Sequence, residues 1–388
     1  MDSHGSRSQD KVLRAKRASL LVVLSVMEIG GRAMSTLIAQ PLKFHVAGGN
    51  VPLSIPMMHS MLESGSFILS LLAWVSFSLY RRGRVTIDNW RYRVKVYALM
   101  GLLDCVSGVS GSIGLNILPA SIFTLLGSTA IVFSIILSRV FTNKKFTLWH
   151  YAAVVLTVSS VVFLFASMDD TTRNPRDVVI SPDAILEQPV SQVVAFLCCL
   201  MSAFLIALIG VLNYVFFKHE QVKYDLAIIL ENNAIQSTFV FAFLLPVVLS
   251  SKEFSLWGTV YKRIQLNGQT PLFTGVCVGI FLSRPLTLFS SVATTAFSSA
   301  VLTRALGGPR RLVVMVMSAL IFGDPMPALK LLSAAFMFFS TLIYVVGGYK
   351  LQKQEALQKS ATRVEMVKIT PDAGERSSST SASVMTRP

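Results

Sequence analysis

Arg304, Gly307, Gly308 and Arg311 stand at i, i+3, i+4 and i+7, which is one face of a helix. The two glycines open room beside two cations. Pro309 removes a backbone donor between them. Arg310 lies about 100 degrees round the helix from Arg311. Guanidinium forks hold phosphate or carboxylate oxygens in pairs. The plainer reading has these arginines paired with Glu231 or reaching for an interface.

A second cluster is Leu230-Glu231-Asn232-Asn233, with Gln236 one turn further on. Side-chain amides present a donor and an acceptor together, which suits a base or a sugar. The same amides can bond neighbouring helices. Glu28 and Arg32 stand four apart, in the order that favours a local ion pair, with Ser25 and Ser35 on the same face. His59, Glu63, Ser66 and Ser70 share another face. His59 or Glu63 can carry a coupling proton, or can serve packing through hydrogen bonds. Asp104 is a buried anchor or a site residue. Arg284 completes the set.

These residues are set in apolar sequence. Of 388 residues, 53% are hydrophobic and 14% charged, against about 25% charged in a soluble domain. The apolar residues fall in blocks of roughly 20, enough to cross a bilayer. A soluble enzyme and a nucleic-acid-binding domain are both excluded. Ten spans are predicted, at about 19–39, 56–79, 95–117, 120–141, 148–167, 190–217, 225–250, 271–290, 295–322 and 328–348. The Ser/Thr-rich stretch 290–296 is taken as the break between spans eight and nine. Backbone groups in lipid must be satisfied within the segment, so the spans are helices.

Charges inside such spans are expensive. Glu28, Arg32, Glu63, Asp104, Glu231, Arg284, Arg304, Arg310 and Arg311 each cost about 2.5–3.5 kcal/mol at the bilayer centre. They are therefore expected to face one another or a water-filled cavity. The first-half spans are net negative and the second-half spans net positive, which gives a cavity between them one cationic wall.

The net charge of +15 is mostly topological. Basic residues crowd the N-terminal tail, the Arg81–Lys95 loop, Lys144 and Lys145, Lys218 and Lys223, and the tail from Lys350. The alternate loops hold only Lys43, Arg173, Arg176, Lys252, Lys262 and Arg263. Both termini are predicted to be cytosolic. The first span is too long for a cleavable signal peptide and is expected to act as its own insertion signal. Cys105, Cys198, Cys199 and Cys277 all lie inside spans as packing residues, without metal or disulfide spacing. No metal, cofactor or catalytic residue is expected, and the chain is not read as an enzyme.

A weak internal repeat maps Gly127 on Gly308, Val132 on Val313, Phe141 on Phe322 and Leu148 on Leu329. Spans four and five thereby match nine and ten. The fold class is an all-α multi-pass membrane protein of ten helices in two inverted five-helix repeats. The expected divisions are an N-terminal tail 1–18, a first repeat 19–167, a lumenal loop 168–189, a second repeat 190–348 and a disordered Ser-rich tail 349–388.

The block from Leu118-Pro-Ala-Ser-Ile-Phe-Thr to Phe141-Thr-Asn-Lys-Lys resembles the drug/metabolite transporter superfamily. So does the block from Gly307-Gly-Pro-Arg-Arg to Phe322-Gly-Asp-Pro. Within it, Asn232-Asn233 and Arg310-Arg311 resemble motifs of nucleotide-sugar and triose-phosphate translocators. Spans four to nine also resemble chloroquine-resistance-type members. The first resemblance implies a Golgi or ER antiporter for a phosphorylated anion, a nucleotide sugar exchanged for its monophosphate. Arg310 and Arg311 would hold phosphate, helped by Arg304 and Arg284. Asn232, Asn233 and Gln236 would read the base or sugar, and Glu231 would hold the arginines of the empty site. The second implies a proton-coupled vacuolar or lysosomal exporter. A homodimer is left open.

Overall fold

Long apolar runs can satisfy their own backbone only as helices or closed barrels. The computed structural model describes residues 19–31, 33, 56–85, 87, 89–118, 120–143, 146–172, 192–220, 225–266, 268, 270–298, 300–322 and 326–369, and no strand occurs among them. The helices are α1 (Ser19–Gly31), α2 (Pro56–Gly65), α3 (Phe67–Arg82), α4 (Trp90–Ile117), α5 (Ala120–Leu126), α6 (Ala130–Thr142) and α7 (Leu148–Thr172). They continue as α8 (Gln192–His219), α9 (Leu226–Ser250), α10 (Lys252–Leu266), α11 (Thr270–Phe297), α12 (Ala300–Ala305), α13 (Gly307–Phe322) and α14 (Ala328–Ile369).

Eight segments among the described residues are long and apolar enough to cross a membrane, not the ten expected. Expected span one is described as a helix only over Ser19–Gly31, which is shorter than a membrane span. Span nine is divided at Leu306 into α12 and α13, because Pro309 has no N–H to close the next turn. The expected break at 290–296 does not exist. Thr294 and Thr295 donate their hydroxyls to the carbonyls of Ser290 and Ser291 at 2.7 and 2.8 Å, so α11 runs through to Phe297. The stretch 349–369, expected in the polar tail, belongs to the last helix.

Hydroxyl pairs join the helices from inside. Thr157 meets Ser340 at 2.7 Å and Ser160 meets Ser333 at 2.9 Å, which sets α7 antiparallel to α14. Ser107 meets Ser202 at 3.1 Å between α4 and α8. Small hydroxyl residues allow close approach and satisfy each other in an apolar medium. The outer faces are apolar. Val155, Val158, Val162 and Phe165 recur on the exposed side of α7.

Two further pairings position the site. α5 packs on α13 and α6 on α12. Between α5 and α6 a short 3₁₀ turn, Gly127–Thr129, tightens the helix. The repeat partners Gly127 and Gly308 therefore both lie at a change in helix geometry.

Candidate substrate-binding site

A cavity of about 170 Å³ opens where these interrupted helices meet. Its charged lining is Glu28, Glu63, Arg284, Arg304, Arg310 and Arg311. Two carboxylates thus face four guanidiniums. Phe123, Thr124, Ser202, Thr287 and Thr303 supply an aromatic ring and hydroxyls. The four arginines singled out from sequence all line this one cavity.

Arg311 crosses the cavity wall. Its Nη2 donates to the Gly127 carbonyl at 2.6 Å, and its guanidinium lies against Gly307, where an added Cβ would stand 3.0 Å from Nη2. Arg304 is seated over Gly210 of α8. A Cβ there would stand 2.9 Å from Nη2 and 3.2 Å from Nε. Arg284 is held by acids from two other helices, Asp104 Oδ2 at 2.9 Å and Glu63 Oε2 at 3.9 Å. These contacts form an ion triad that joins α2, α4 and α11 around a cation expected from sequence to assist phosphate.

A second chamber of about 50 Å³ shares Arg284 and Arg304 with the first. Gln236, Asn213, Asp104 and Thr295 line it. Asn232 donates to Asn213 Oδ1 at 2.6 Å, and Asn233 donates to Ser70 at 3.3 Å. These two asparagines are helix-to-helix bonds, and neither lines the two chambers. Gln236 does line one. Its side chain is fully buried, and among the described residues neither its oxygen nor its nitrogen finds a hydrogen-bond partner.

Glu231 also lies outside both chambers. It accepts from Tyr97 Oη at 3.0 Å and from Arg93 Nη1 at 3.2 Å. Arg93, itself buried, donates to Glu220 Oε2 at 2.7 Å as well. Sequence had assigned Glu231 to the arginines of span nine; the structure shows it bonded to Tyr97 and Arg93. Arg93 had been counted as a loop cation, because the basic run conceals where α4 begins. The signal was present in the spacing: Arg93, Tyr97, Met100 and Asp104 follow i, i+4, i+7, i+11 on one face. Asn213, an amide deep in a very apolar span, was a second unread signal. The side chains of Arg32 and His59 lie outside the described residues.

Comparison with known sequences places this arrangement. The profile of the purine nucleobase transmembrane transport family matches residues 19–354. The chain belongs to that family. It is 23% identical over 291 residues to a probable purine permease 22 of Arabidopsis thaliana, covering 73% of this chain and 74% of that protein. A crystal structure with 13% identity matches 84% of this chain and 98% of its own, with a TM-score of 0.47.

Membership makes the chain a multi-pass membrane transporter, of a drug/metabolite transporter type. It also overturns the closer resemblances, to nucleotide-sugar and triose-phosphate translocators and to chloroquine-resistance-type members. The former rested on two adjacent amides and two adjacent arginines, pairs too short to separate families whose apolar spans look alike. The nucleotide sugar, its monophosphate counter-substrate and the Golgi or ER setting lose their basis with it.

Proposed function

We propose that the chain carries a purine nucleobase across a membrane by alternating access, with the base bound in the arginine-lined cavity. The carrying observation is that cavity's composition at the junction of the two interrupted helices. Phe123 offers a face on which a flat heterocycle stacks, and base–aromatic stacking contributes about 1–3 kcal/mol. Hydroxyls and guanidiniums offer donors to ring nitrogens and carbonyls. The family match and the permease relative support the same substrate class.

Ten helices in two inverted five-helix repeats, with both termini cytosolic, make up the proposed architecture. Antiparallel α7 and α14, and the crossed pairing of α5 with α13 and α6 with α12, are what an inverted twofold requires. Glu63 and Asp104, which share Arg284, are our candidates for carrying a coupling proton.

The test uses purified protein in proteoliposomes with a radiolabelled purine mixture as the tracer. Unlabelled purine bases should compete for uptake, and nucleotide sugars should not. If no purine base is taken up or raises the melting temperature of the protein, the reading fails.

A further inference from the structure

Four features of the double chamber narrow the purine class. The larger cavity has two carboxylates against four arginines, so its wall carries a surplus of positive charge. Arginine is a donor only, with no lone pair to offer. Arg304 borders both chambers and lies against the bare backbone of Gly210, where a side chain would collide with it. Gln236, fully buried beside it, offers one unmatched donor and one unmatched acceptor among the described residues. An unmatched buried amide is destabilising, and a ligand edge with complementary groups removes that cost.

The 6-oxopurines carry a carbonyl at position 6 beside an N1–H. A glutamine amide can donate to that carbonyl and accept from N1–H at once. Arginine pairs with the O6 and N7 acceptors of such a base, whereas a 6-aminopurine puts its amino donor where O6 would be. Gln236 can turn its amide over and serve either base. Arg304 cannot, because a donor meeting a donor is repulsive. A surplus of cations further favours bases that readily lose a ring proton to become anions, as the more oxidised oxopurines do.

We propose that Gln236 and Arg304 together bind the six-position edge of the base, and that Arg304 selects 6-oxopurines over 6-aminopurines. The inference rests on the nucleobase-transporter reading and goes one step past it. The edge of the base enters the smaller chamber, while its ring lies in the larger one against Phe123.

The experiment measures melting-temperature shifts and competition for uptake with hypoxanthine, xanthine and adenine on the full chain. Wild type should prefer hypoxanthine and xanthine over adenine by at least about tenfold in apparent affinity, the discrimination of one good bidentate contact. Arg304→Gln should erase or reverse that preference while still binding a base. Arg304→Lys, which keeps the charge and loses the fork, should retain only part of it. Gln236→Leu should weaken all three bases alike. Each variant is compared for elution volume and circular dichroism, so that loss of fold is separated from loss of recognition. Adenine binding as well as or better than hypoxanthine in wild type overturns the selectivity and leaves the purine reading standing. An unchanged preference in Arg304→Gln does the same. Binding of none of the three overturns both.

Discussion

Arg311 donates from Nη2 to the main-chain carbonyl of Gly127 at 2.6 Å, joining α13 to the 3₁₀ turn between α5 and α6. The same carbonyl also accepts from the Ala130 N–H. One guanidinium in the second half of the chain is thus tied to the backbone at the changed helix of the first half. Under the proposed alternating access, this bond is expected to break and re-form as the cavity opens and closes.

Arg311→Ala removes a hydrogen bond from a charged donor, a loss of about 1.5–3 kcal/mol. The melting temperature should fall, and purine uptake should fall by more than tenfold. Arg311→Lys should recover stability more than transport, since lysine restores charge without the planar fork. Equal recovery of both would show that only the charge matters.

Asp104→Asn weakens the triad on Arg284, leaving Glu63 at 3.9 Å as its charged partner. Removing one member of a buried pair costs about 3–5 kcal/mol, and the partial exposure of these side chains should bring this nearer 2. The double variant Asp104→Asn with Arg284→Gln should regain much of the loss. Additive losses in that cycle would show that the two residues do not act as a pair.

The Arg93 network predicts a graded series. Tyr97→Phe removes one hydrogen bond to Glu231 and should cost about 1 kcal/mol. Arg93→Ala leaves Glu220 and Glu231 without the cation between them and should cost about 3–5 kcal/mol. Adding Glu231→Gln to Arg93→Ala should restore part of the melting temperature, because one of the two orphaned charges is gone.

Gly210→Ala sets a methyl group 2.9 Å from Arg304 Nη2. The guanidinium must shift, so the KM for uptake should rise several-fold with a smaller change in melting temperature. A fall in stability with unchanged KM would place Arg304 outside the binding surface.

Phe123→Ala should weaken base binding by about 1–3 kcal/mol, and Phe123→Tyr should preserve it, if the ring is a stacking surface. The readout is competition by unlabelled base in proteoliposomes.

The positions of the helices were legible in the sequence to within a few residues for most spans. Apolar length alone forces a helix in lipid, whatever its neighbours. Two of the features that escaped show why. The hydroxyl run 290–296 resembled a loop in composition, but its side chains close onto their own helix and keep it intact. The segment Lys252–Leu266 was read as a loop with three basic residues, and it forms the helix α10. A short segment of mixed polarity gives no span-length signal, and its helicity depends on packing Trp257 and Ile264 beside Phe273.

The candidate site divides in the same way. Arg304, Arg310 and Arg311 were legible because cations in an apolar run must be sheltered, and the structure gathers them with Arg284 around one cavity. Their partners were not legible. Helical periodicity fixes which face a residue occupies, and it carries no information about which helix will meet that face. Arg284 and Asp104 lie 180 residues apart, and Glu231 and Arg93 lie 138 apart. The sequence alone therefore determined that these charges must be paired inside a helical membrane protein. Only the tertiary packing decided that Asp104 and Glu63 take Arg284, that Arg93 takes Glu231, and that Gln236 is left facing the chamber beside Arg304.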